Sequence, residues 1–132
     1  MSETKKSLKT PLAHMEFDDQ QILHFALNGK EVTDDSIEKN YLMVKEFLSG
    51  KKVCFYVDNT ESQPYDKKYR LAFEQQLEEF CEAVAVTSGS VIGTAVANIF
   101  IAMTKTKVPI RVFNKKESAL NWLDNHNTAK IR

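Results

Sequence analysis

Residues 53–57, Val-Cys-Phe-Tyr-Val, form an unbroken apolar run of strand length between Lys51-Lys52 and Asp58. A strand with one wet side alternates apolar and polar residues, whereas a continuous run needs cover on both faces. The run therefore predicts an interior strand of a parallel sheet with helices on either side. The neighbouring chain supplies such helices. Thr33 or Asp34 can cap a segment in which Ile37, Tyr41, Val44 and Leu48 keep helical spacing up to a stop at Ser49-Gly50. Asp66 can cap a second, with Tyr69, Phe73, Leu77 and Phe80 as its buried stripe and Glu74, Glu78 and Glu82 on its outer face.

Downstream, Ala83–Val86 reads as a short strand, Thr87–Ser90 as a turn, and residues 91–104 as a third helix capped by Ser90. Pro109–Phe113 is the last strand, and Asn114 with Glu117 forms a capping box for a helix over residues 115–125. Upstream, Leu12–Phe17 alternates loosely, Asp18-Asp19 is a turn signal, and Leu23, Phe25 and Leu27 share a face at period two. That reads as a β-hairpin closed by Asn28-Gly29. The order is ββαβαβαβα, an α/β chain with a mostly parallel mixed sheet flanked by helices. Residues 1–10 are expected to be a flexible basic tail, residues 11–125 a single domain, and residues 126–132 a C-terminal tail.

At 132 residues the chain has room for one core. Its 18 Lys and Arg balance 18 Asp and Glu, and the termini hold the surplus bases: residues 11–123 carry 13 bases against 16 acids, a net of −3. A surface that tracks phosphates needs clustered Lys and Arg, so nucleic acid is not an expected partner. Two cysteines, Cys54 and Cys81, are too few for a disulfide framework or a cysteine-rich zinc site. The expected compartment is the cytoplasm. No segment reads as a signal peptide or a membrane span, and no spacing of His, Cys and Asp suggests a metal or calls for a cofactor.

Ligands on open α/β sheets bind beyond the carboxyl ends of strands. After the 53–57 strand these ends offer Asp58, Asn59, Thr60 and Ser62, a loop site where a phosphate on Thr60 or Ser62 could remodel the following helix N-terminus. The plain alternative is that such residues are what loops contain. Ser88, Gly89 and Ser90 open the third helix and could receive an anion, although turn and cap roles also account for them. The three histidines, His14, His24 and His126, fall in the hairpin and near the C-terminal helix, away from these loops, so no nucleophilic triad can be assembled. Cys54 reads as a small core residue, and Cys81 as the end of an acidic helix. The order of Asp18, Asp19, Asp58, Thr87 and Lys115 resembles that of a phosphoacceptor receiver domain, which would require a helix over residues 21–27.

The third helix stands apart. Ile92, Val96, Ile99, Phe100 and Met103 make a core face, yet the opposite face, Thr94, Ala97, Asn98 and Ile101, carries no charge before Lys105. A helix apolar nearly all round is covered by its own chain or presents an association surface. The second case suggests a homodimer contact or a cleft for a small apolar ligand.

Ala83-Val-Ala-Val-Thr-Ser-Gly-Ser90, the apolar helix after it, Val108-Pro-Ile-Arg-Val-Phe113 and Glu117-Ser-Ala-Leu-Asn-Trp-Leu123 together resemble the STAS domains, also called SpoIIAA-like. The resemblance spans about residues 12–123, and its most specific part is Pro-x-Arg-x-Phe followed by Ala-Leu-x-Trp-Leu, with Ala119, Trp122 and Leu123 as core anchors. It implies a mixed sheet flanked by helices and a non-catalytic regulatory or interaction role through protein contacts. In anti-sigma antagonists of that family a Ser in an Asp-Ser-Ser-Gly-like loop is phosphorylated; the matching loop here reads Asp58-Asn59-Thr60-Glu61-Ser62. More distant relatives with the CRAL-TRIO lipid-transfer fold bind hydrophobic ligands.

Overall fold

A computed structural model describes residues 7–27, 33–58, 74, 76–87 and 106–127. Its frame is one mixed sheet of six strands in sequential order: β1 (Ser7–Lys9), β2 (Ala13–Phe17), β3 (Leu23–Leu27), β4 (Val53–Asp58), β5 (Cys81–Thr87) and β6 (Ile110–Phe113). The first three pair antiparallel, and β3 through β6 pair parallel. As the apolar run demands, β4 is interior, and Val53 to Val57 are all buried.

The sheet begins earlier than expected. Ser7–Lys9 pairs with His14–Glu16, so these residues of the expected tail form an edge strand instead. The reason is local: Leu8 packs against the core, while Ser7 and Lys9 alternate outward. Buried Thr10 holds the turn that follows, its Oγ accepting from the amides of Leu12 and Ala13. The same hydroxyl bonds to Asn40, a polar residue on the inner side of the first helix. At the other end, Asn127 is buried and its side-chain amide donates to the Gln20 carbonyl at 2.7 Å, so the fold continues past residue 125.

The β2–β3 hairpin turns at Asp18–Ile22, where one Asp18 carboxylate oxygen accepts from the amides of Gln20 (2.8 Å) and Ile22 (3.0 Å). That Asx geometry carries Gln21 through a left-handed φ of 66°. Asn28-Gly29 lies outside the described residues. The strand at Leu23–Leu27 replaces the helix that a receiver domain would need there.

Helix α1 (Asp34–Leu48) is capped by Thr33: its hydroxyl accepts from the Ser36 amide at 3.0 Å, and Ser36 Oγ accepts from the Thr33 amide at 2.8 Å. It ends at Ser49 and Gly50, both left-handed, with φ of 52° and 84°. Its buried side is Ser36, Asn40, Val44 and Leu48, with Ile37 and Tyr41 at the margin. Residues 76–80 are helical and bury Leu77 and Phe80. Their Glu78 has a structural task, accepting from the Lys107 amide (3.0 Å) and the Thr106 hydroxyl (3.3 Å) to hold the approach to β6. Those two bonds, the amide first, hold its carboxyl below the ordinary value. Helix α2 (Lys116–Asp124) starts after Lys115 with no side-chain cap, so Asn114 does not form the expected capping box. Burial of Ala119 and Leu123 against the sheet sets its place instead.

The β4–β5 register slips by one residue: Val53 pairs with Cys81 but Cys54 with Ala83. This bulge at Glu82 turns Cys81 to the α1 side, where it joins Val53, Phe55, Val57, Val84 and Val86. Cys81 is thus the first residue of β5, not the end of a helix. On the α2 side lie Cys54, Tyr56, Ala83 and Ala85. Among the described residues no helix is long and apolar enough to cross a membrane.

Candidate functional site

The parallel register brings Ala26, Asp58, Thr87 and Phe113 into one row at the carboxyl ends of β3 to β6. Asp58 closes β4 and is exposed there. Of the other expected site residues, Asn59, Thr60 and Ser62 in the loop, Ser88, Gly89 and Ser90 in the turn, and Thr94, Ala97, Asn98 and Ile101 on the third helix all lie outside the described residues.

Beside this row, on the α2 face, the fold assembles a polar group that the sequence does not announce. Tyr56 and the buried Thr87 share a hydrogen bond of 2.7 Å across neighbouring strands. The His24 ring stands edge-on to Tyr56, with centroids 5.1 Å apart. Its Nε2 lies 2.8 Å from Asp18 Oδ2; a carboxylate can only accept, so the imidazole N–H donates. Lys116, at the first turn of α2, sits with its ammonium 5.6 Å from the centre of the Tyr56 ring. Asp18, His24, Tyr56, Thr87 and Lys116 therefore form one chain of contacts from the hairpin turn to the mouth of β5. His24, the second residue of β3, pairs with Tyr56 two residues before the strand-end row and reaches this group through that neighbour. The signal for it was the alternation His24, Ala26 against Leu23, Phe25; what was missing was the identity of its neighbour on β4.

Burial shifts the phenol of this group and the two thiols of the core in the same direction, toward the protonated form. Burial raises the Tyr56 phenol, the bond with Thr87 opposes that, and the Asp58 charge adds to the rise. Burial, with Glu82 and Asp124 nearby, pushes the Cys54 thiol from 9.0 up to about 12. Its Sγ lies 3.6 Å from the Leu123 carbonyl, which accepts its weak bond. Burial likewise carries Cys81 well above its ordinary value. A nucleophilic cysteine is a thiolate, and both of these are held as thiols. What the arrangement does is tie the hairpin turn, at the amino end of β3, through His24 and Tyr56 to Thr87 and α2 at the carboxyl end of the sheet. His126 takes no part in it; its ring packs on Trp122 at 4.6 Å.

Comparison with known proteins agrees with this architecture. A family model described as a domain of unknown function, DUF7793, matches residues 15–127. No curated protein matches. Among solved structures, an uncharacterized protein of the DUF3478 family with a SpoIIAA-like fold, from Shewanella loihica PV-4, superposes with a TM-score of 0.57 at 22% identity, covering 93% of this chain and 98% of its own. At that identity the likeness speaks for the fold, and the fold is SpoIIAA-like.

Proposed function

The chain belongs to the DUF7793 family, a domain of unknown function, and from that premise we propose a non-catalytic regulatory domain that works through protein contacts, with a second copy of itself as partner. The observation that carries the reading is the stretch after β5. The strand ends at Thr87, beside Asp58, and residues 88–104 that follow contain no Asp, Glu, Lys or Arg. In a chain that is 27% charged, an uncharged run that follows the carboxyl end of a sheet strand, where open α/β sheets carry their binding loops, is suited to meeting another protein surface.

In this reading Thr94, Ala97, Asn98 and Ile101 are the contact residues. Asp58, Asn59, Thr60 and Ser62, with Ser88, Gly89 and Ser90, are the loops that flank it and offer hydroxyls for regulation. The cytoplasm suits two free, buried thiols. Ile101→Glu tests the reading by sedimentation velocity: the wild type is expected to form dimers, and the variant to sediment as a monomer with an unchanged thermal melt. Identical sedimentation of the two proteins would refute the assignment.

A further inference from the structure

Among the described residues the exposed large apolar side chains are Leu42, 54% exposed, and Met43, 36% exposed. They are adjacent on α1, on the side away from the buried Ser36, Asn40, Val44 and Leu48. At 3.6 residues per turn, Asp35, Lys39, Leu42 and Glu46 fall on one outward strip, with Met43 beside it. Lys39 and Glu46 are exposed.

We propose that this strip pairs with the same strip of a second copy, helix antiparallel to helix, about a twofold axis between Leu42 and Met43. The charges select both the partner and the register. In that register each Leu42 meets the partner's Met43, and each Lys39 meets the partner's Glu46, twice by symmetry. A register centred on Leu42 itself would set Lys39 against the partner's Lys45 and Glu38 against the partner's Glu46, opposing like charges in both cases. Within its own chain the Lys39 ammonium lies 3.3 Å from Asp35 in an exposed i,i+4 pair, which leaves further N–H donors for Glu46. The 15-residue helix is about 22 Å long, so the contact is smaller than the roughly 800 Å² per partner of a stable complex and belongs to the weak class. It goes beyond the proposed function, since it uses none of residues 88–104.

The test is sedimentation equilibrium of the full chain up to roughly 1 mM, on the wild-type and the Ile101→Glu backgrounds, with circular dichroism as the check on folding. Leu42→Glu is expected to weaken association at least about tenfold, and Lys39→Glu to weaken it several-fold. Lys39→Glu combined with Glu46→Lys is expected to restore it, because the reversed pair is again complementary. The proposal falls if Leu42→Glu associates like its parent, if the double reversal fails to rescue, or if the Ile101→Glu protein is monomeric at every concentration. In that last case the contact through residues 88–104 would stand alone. Loss of association with Leu42→Glu but not with Ile101→Glu would leave the α1 pairing standing and remove the other.

Discussion

On the side of the sheet covered by α1, β4 and β5 present Val53, Phe55, Val57, Val84 and Val86, and these meet Leu23, Val44, Leu48, Leu77 and Phe80. On the side covered by α2, the alternate positions of the same two strands are Cys54, Tyr56, Ala83, Ala85 and Thr87. The first side is filled by large apolar groups. The second has small residues that let Ala119 and Leu123 of α2 come down to full burial, and it admits the hydroxyls of Tyr56 and Thr87, which bond to each other. A continuous apolar strand thus has two unequal faces: one supplies the bulk of the hydrophobic stabilisation, and the other sets a close spacing and joins neighbouring strands through a hydroxyl pair.

The comparison can be broken from its heavier side first. Leu23→Ala, at a fully buried position under α1, is expected to lower stability by about 2–5 kcal/mol in urea titration. A loss below 1 kcal/mol, allowing for error, would mean that this face is not the main core. Ala85→Leu on the α2 side tests the close spacing in the opposite sense. Added volume there should cost about 1–3 kcal/mol, and a neutral result would show that α2 has room to move. Tyr56→Phe removes the partner of a buried hydroxyl and is expected to cost about 1–3 kcal/mol. Adding Thr87→Val should then cost less than it does in the wild type, the mark of coupling between the two residues.

The thiol of Cys54 gives a smaller effect that depends on pH. Its raised folded value means that the native state keeps a proton the unfolded state gives up, so its stability contribution is intact below 9.0 and is lost as pH rises toward about 12. Cys81 and Tyr56 shift in the same direction and share this alkaline range. Chemical denaturation at a series of pH values above 9.0 should show stability falling, with a shallower fall in Cys54→Ala. An equal slope in the variant would remove Cys54 from the account. Least of all, Lys116→Ala should cost under about 1 kcal/mol, the scale of an exposed cation against an aromatic ring.

How far the sequence reached differs by element. The Thr33 cap, the Ser49-Gly50 stop and the parity of Leu23 and Phe25 are local properties of a few residues, and all appear in the structure. The Asn114 box failed, although its motif was local, because packing of Ala119 and Leu123 placed the helix start at Lys116. Ser7–Lys9 went unrecognised because three residues with one apolar side chain show no period; only pairing with β2 makes them a strand. Asp58, read from the sequence as the first loop residue, is the last residue of β4, and His24 and Thr87 were legible only as a hairpin residue and a turn residue.

By itself, then, the sequence determined that Val53–Val57 must be covered on both faces and that helices of matching spacing stand ready to cover it, because hydrophobic periodicity depends only on near neighbours. Which strand lies beside which, the bulge that sends Cys81 to the α1 side and the meeting of Asp18, His24, Tyr56, Thr87 and Lys116 were decided by tertiary structure. Those contacts join residues far apart in the chain. Their register comes from packing the whole sheet against its helices, and no local pattern encodes it.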